Sequence, residues 1–569
     1  MLKNSPHNIA RRKDWNMAQD TNNDSTKIAN NSNPSTEPGT YAIIRKHERG
    51  VWLLPGGQRV NLDKPDSYGQ TPLSHAARKG WVEVVEILLS RQDVDPDKPD
   101  NDGQTPLSHA AINGQAEVVE VLLRQDSVNP NKPDHNGRTP LTFAAWNGHE
   151  VVVKILHACG KVNVDKPDSS GQTPLLYAAQ NSYEAVVKIL LRREDINSDR
   201  PDNIGRTLLS YAALDGWEEV VTILLGRKEV NPNKPDKYGR TPLSYATEGG
   251  HIGVLKLLLG RGDISSDKAD NIGRTPLSYA AHHGCEEAAR ILLGRVEVHP
   301  DKPDKYGCTP LSVAAAGGHE GVFKILLGRE EVSPVRPDIS GRTPFVYAAY
   351  YGCVEAVRIL LGREEVDPDG PDIYGMTPLA YAADNGQEDV VKILLGRQDV
   401  NPDRPDVNGG TPLLNAAWKG HEGVLKMLLG LEDVRSDKPD RLGRTPLSYA
   451  ADNGYEGVVK MLLEREEVNP DRPDNDGQTP LLYAAMKGRE GVVKILLGRE
   501  GINADRLGKD GRGPITYAAL YGDEAVVKLL LQREEVNPRR PDIYGQTPIM
   551  WAVKQGRRRV VALLLSQEP

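Results

Sequence analysis

Phenylalanine is almost missing from this chain: three residues in 569, with aromatics of every kind at 5%. Its 38% of apolar residues must therefore pack as aliphatics and Ala rather than around bulky rings. Cysteine is equally sparse. Cys159, Cys285, Cys308 and Cys353 stand 23 or more residues apart with no CxxC, which excludes a cysteine-rich zinc module and points to a reducing compartment. No run reaches the roughly 18 apolar residues of a membrane span, and the first 20 residues have no apolar signal core. A cytoplasmic or nuclear location away from membranes is expected. Positive charge is not in excess either: Lys and Arg number 71 against 79 Asp and Glu, a net charge of −8. Nothing global draws such a chain to phosphate backbones, so nucleic acid is not the expected partner. Phosphate loops, GxSxG elbows and HExxH helices are lacking. The adjacent pair His282 and His283 diverges at a helix end rather than sharing a metal. The expectation is a protein that is not an enzyme, with no catalytic residue, cofactor or metal.

What is plentiful is Gly and Pro, 55 and 41 residues, and they are placed by a repeat. Length alone would suggest about four domains. Instead the string GxTP recurs at Thr71, Thr105 and every 34 residues on to Thr547, with Gly513 once in the place of Thr. That makes fifteen units without an insertion.

Each unit reads like residues 473–505, PDNDGQTPLLYAAMKGREGVVKILLGREGINAD. DxxG predicts a tight tip, where Asp accepts local N–H groups and Gly takes positive φ. Thr479 predicts an N-cap and Pro480 the first helical residue. Ala484 and Ala485 allow a second helix to approach closely. Gly488 predicts the left-handed stop, a place held by Gly in every unit but one, which has Ser182. The next helix has acid early and base late, with Val492, Val493, Leu496 and Leu497 on one stripe. Such a pair cannot bury its apolar faces alone, so the units must stack as an all-α repeat solenoid.

The pattern DxxGxTPLxxAAxxGxxxVVxxLL, repeated over residues 66–569, resembles the ankyrin repeat. The resemblance implies helix-turn-helix units with β-hairpin fingers in a curved superhelical stack. It also implies a non-catalytic platform that binds other proteins, through its concave face and finger tips. The chain departs from the family in having Ser74, Ser108, Ser210, Ser244, Ser278, Ser312 and Ser448 where His usually follows TPL. Unit 508–541 also lacks the turn Asp and the cap, with Gly508 and Gly513 in their places.

Outside the array, residues 1–36 are expected to be a disordered tail and 37–65 a degenerate repeat or N-terminal cap. The last unit is shortened and, with Arg557, Arg558 and Arg559, is expected to close the stack. The variable, outward positions are the two tip residues, the residue before Thr and the two before the closing Gly. Among these, Tyr306, Tyr350, Tyr351, Tyr374 and Trp418 gather in units eight to eleven and form the candidate protein-binding patch. The Tyr before the Ala pair, as in Tyr245 and Tyr279, is expected to pack, its hydroxyl reaching water or a backbone acceptor. Arg206, Arg240, Arg274, Arg342, Arg444 and Arg512 are expected to pair with finger Asp residues. The whole is expected to act as a monomeric interaction scaffold. The alternative is the recognition arm of a larger NTPase-type signalling receptor, which the long array also resembles.

Overall fold

The computed structural model describes residues 61–566. The expected tail at 1–36, most of the degenerate unit at 37–65 and the last three residues lie outside that range. The described residues divide into two compact units, the first ending at Asn129 and the second starting at Pro130. Two helix pairs belong to the first, Pro72–Lys79 with Val82–Leu89 and Pro106–Ile112 with Ala116–Leu123. Thirteen pairs follow in the second, ending with Pro548–Lys554 and Arg558–Leu565.

Local chemistry sets both ends of the first helices. In Pro480–Met486 the hydroxyl of Thr479 accepts from the Leu482 N–H at 3.3 Å, satisfying one of the orphan donors of the first turn. Where Ser follows TPL, its hydroxyl turns to the capping Thr of its own repeat, 3.2 Å away between Ser244 and Thr241. The stop residue adopts positive φ throughout. Ser182, at φ 60, is the only described non-Gly residue to do so, and its hydroxyl donates to Asp215 at 2.6 Å. Behind these ends, the Ala pairs and the Val and Leu stripes of the second helices are buried.

The fingers are not β-hairpins, for no strand forms among the described residues. Each is a turn held by its own Asp. Asp236 Oδ1 accepts from the N–H of Tyr238 and of Arg240 at 2.9 and 2.8 Å, and its own N–H donates to the Arg240 carbonyl. Pro235 ahead of it has no N–H to extend a ladder. Most consecutive fingers within the second unit share one backbone bond, as from Lys237 N–H to the Ile204 carbonyl at 2.8 Å.

Three further kinds of tie recur between successive repeats within a unit, though not at every step. First, the link Lys or Arg reaches back 35 residues: Lys234 Nζ donates to the Asp199 carbonyl and carboxylate at 2.7 and 2.8 Å, and Arg404 does the same at Asp369. Second, an Arg just beyond the second helix donates to the last turn of the preceding second helix, as Arg261 does to the Leu225 carbonyl at 2.8 Å. Third, the residue that opens the second helix reaches the end of the preceding first helix, as His251 does to the Leu214 carbonyl at 2.9 Å. The last two place donors, one of them a cation, on helix C-termini, where free carbonyls and the dipole favour them. One link tie is absent, and both of its members are replaced together: Val335 stands in the Asp place and Gly370 in the Lys place.

In the first unit, His takes the place of the ladder Tyr. His109 is buried and its Nε2 lies 2.9 Å from Asp100 Oδ2. Burial is the largest influence on its pKa and pushes it below 6.5, against the raising effect of Asp100 and with small lowering effects from Arg78 and His75. The folded state therefore favours neutral imidazole. Its contribution to stability is full above the unfolded pKa and is lost as pH falls below about 6.5 towards the folded value. Hydrogen exchange should show protection of 105–123 falling between pH 7 and 5, and H109Y should flatten that fall. A parallel loss in H109Y would refute the assignment.

Candidate functional site

The finger Asp organises one face of the array. Its Oδ1 holds the turn, and its Oδ2 takes a donor from the first helix that folds back onto it. Tyr245 donates its hydroxyl to Asp236 at 2.7 Å, and the same bond recurs at 2.9 Å from Tyr279 to Asp270. The Tyr ladder thus reaches a carboxylate nine residues earlier, rather than water or a backbone acceptor, because that acid is the nearest acceptor at the helix start. Arg240 Nε joins the same oxygen at 3.1 Å, and its guanidinium lies 4.5 Å from the Tyr245 ring centroid. Arg206, Arg274 and Arg342 pair in this way with Asp202, Asp270 and Asp338, while Arg444 stands 3.7 Å from Asp440. Arg512 instead crosses to Asp542 at 3.0 Å.

Unit 508–541 keeps part of this arrangement despite its two glycines. The helix Pro514–Tyr521 starts at Gly513 without a side-chain cap. Asp510, two residues beyond the vacant Asp place, accepts from the Tyr517 hydroxyl at 2.5 Å.

Two repeats leave the carboxylate without such donors. Repeat eight has Cys308 and Val313 in the Arg and Tyr places, and repeat eleven has Gly410 and Asn415. Asp304 and Asp406 therefore keep their turn bonds, to Tyr306 and Cys308 and to Asn408 and Gly410, but gain no side-chain donor on Oδ2. The electrostatic result is visible. At Asp338 burial pushes the pKa up, but bonds from Arg342 and Tyr347 outweigh it and hold the carboxyl below its usual range. At Asp304 the backbone bonds from Cys308 and Tyr306 and the charge of Arg274 do not offset burial, and the pKa rises.

Finger roots and first-helix ends share one face: Gln180 donates to Gln172 at 3.3 Å, and Arg240 pairs with Glu248 at 3.4 Å. On this face Tyr306, Tyr351, Tyr374 and Trp418 are exposed. Tyr350 is half-buried, its ring edge-on to Tyr381 of the next repeat at 5.7 Å. Trp418 likewise leans on Tyr449, at 5.8 Å, while remaining 45% exposed. An aromatic search misses the aliphatic members. Ile339, Ile373, Val407 and Leu442 are exposed at the tips of repeats nine to twelve, so five successive fingers from Tyr306 onward present apolar side chains. The signal for them was an aliphatic inside DxxG, where many other fingers have Asn, Lys, Ser or Asp.

A shallow cavity of about 520 Å³ beside Glu331 and Glu365 is lined by Arg329 and Arg363, whose guanidiniums serve the carbonyls of Leu293 and Leu327. Among the described residues no cluster of three or more His, Cys, Asp or Glu could hold a metal, and no helix is long and apolar enough to cross a membrane.

The family model described as "Ankyrin repeats (3 copies)" matches residues 40–134, 126–200, 194–268, 263–338, 332–406, 364–440, 413–507 and 500–569. No curated protein matches the chain.

Proposed function

Since the chain belongs to the ankyrin repeat family, whose repeats mediate protein–protein interaction, we propose that it is a non-enzymatic scaffold that grips a partner protein with the fingers and first-helix ends of repeats eight to twelve. The carrying observation is the run of exposed apolar side chains on five successive fingers, backed by Tyr351 and Trp418. Large apolar anchors ringed by polar groups are where interface energy concentrates. Many positions elsewhere in the repeat are occupied by caps, turns and ties between successive repeats, whereas the tip residues vary from finger to finger. A photoreactive phenylalanine analogue at Tyr374 or Tyr351 should trap the partner in cell extract. The same group at Ile223, on the second helix Glu218–Leu225, should not. Adducts formed from Ile223 alone would sink the proposal.

A further inference from the structure

The first residue after the Ala pair is Tyr350, Asp384, Trp418 and Asp452 in four consecutive repeats. Ring and carboxylate thus alternate along the wall at the pitch of the stack, about 8–10 Å for packed helices. Neither carboxylate accepts a side-chain hydrogen bond, although Asp384 faces one cation of the fold. Burial pushes the Asp384 pKa up, and its nearest cation, Lys419 Nζ, stands 4.0 Å away. Asp452 Oδ1 is buried with no partner. At the finger root beside Trp418, Asp406 adds an Oδ2 without a side-chain donor, and Gly410 has no side chain to cover it. The tips above this wall, Ile373 and Val407, are apolar.

The chain itself shows what such a wall holds. The Lys419 ammonium lies 4.5 Å from the Trp418 ring centroid while facing Asp384. An aromatic face beside a carboxylate suits an ammonium or guanidinium through ring quadrupole and charge together.

We infer that repeats nine to twelve hold an extended basic segment of the partner, in which apolar and Lys or Arg side chains alternate at every third residue against Tyr350, Asp384, Trp418 and Asp452. The spacing follows from the polyproline II form, whose three residues per turn at about 3.1 Å each advance roughly 9 Å, one repeat of the stack. This deepens the reading of the finger face given above and rests on it. The charge of the wall selects against an acidic segment, for which the carboxylates would be repulsive.

The test is fluorescence anisotropy with the full chain and a labelled peptide in which Lys and Leu alternate at every third position with Pro between. Saturable binding is expected, and about tenfold weaker binding for the counterpart with Glu in place of Lys. A peptide with the same residues at every fourth position should also bind weakly. D384N with D452N, isosteric and leaving backbone acceptors intact, should lose about tenfold. K419Q removes the resident cation and should tighten binding, a gain that a merely structural lysine would not give. Equal binding of the Glu peptide, full affinity in D384N/D452N, or no binding of any peptide overturns the inference. Loss in W418A with full affinity in D384N/D452N would overturn the basic specificity alone and leave the finger-face reading standing.

Discussion

Replacing Asp236 by Ala should cost about 3–5 kcal/mol, the range for removing one member of a buried ion pair. Its side chain is fully buried and serves four donors: two backbone N–H groups of the turn, the Tyr245 hydroxyl and Arg240 Nε. Truncation leaves the Tyr245 hydroxyl and Arg240 Nε desolvated without their acceptor, while Glu248 still serves Arg240 Nη1, and the unmet groups, rather than the lost contact, dominate the cost. Asp304 provides the internal control. It holds the same turn but has no side-chain donor, so D304A should cost only about 1 kcal/mol. Adding R240M and Y245F to D236A removes the stranded donors and should restore a large part of the loss. Urea unfolding, with hydrogen exchange over 241–259, separates these cases. Equal losses in D236A and D304A would show that the turn bonds carry all the energy.

Phe323→Ala is the second large effect. Phe323 is fully buried in the second helix of repeat eight, Glu320–Leu327, and is one of the chain's three Phe residues. Truncation of a core Phe costs about 3–5 kcal/mol, part of it from the cavity left behind. In a stack, stability is a sum of unit and interface terms, so where the loss falls matters as much as its size. Here it falls next to the link tie missing at Val335 and Gly370. The F323A variant should therefore unfold in two resolved steps, with the repeats on either side of the cavity melting separately. A single transition merely shifted to lower urea would mean that the remaining ties couple the two sides strongly enough without it.

Much of this was legible in the sequence because it depends on near neighbours. Thr caps, the left-handed stop including Ser182, and the pairing of Arg with the finger Asp span at most four residues, and spacing alone specifies them. The Tyr hydroxyl could not be placed so easily. Its acceptor lies nine residues earlier, and the contact exists only because the first helix turns back on its own finger. Asp510 replacing the missing acid of its repeat was hidden for the same reason: it stands two residues further on in the string yet reaches the same hydroxyl. Ties that reach back 35 residues depend on how successive units superpose, although the joint loss at Val335 and Gly370 left a trace. On the candidate face, Tyr306, Tyr351, Tyr374 and Trp418 are exposed, and the aliphatic tips and the acids between them carry no aromatic signal in the string. Tyr350 is half-buried because its ring packs edge-on to Tyr381, a contact between repeats that spacing within one repeat does not show.

The vacant tie has a mechanical meaning as well. Tension applied along the second unit passes through finger bonds, helix-end bonds and link ion pairs in parallel at a typical step. Between Val335 and Gly370 the link member is missing, so that step is a softer spring than one with all of its ties. Under load it should stretch further than a step with its full set of ties, so part of any lengthening of the second unit would be taken up there.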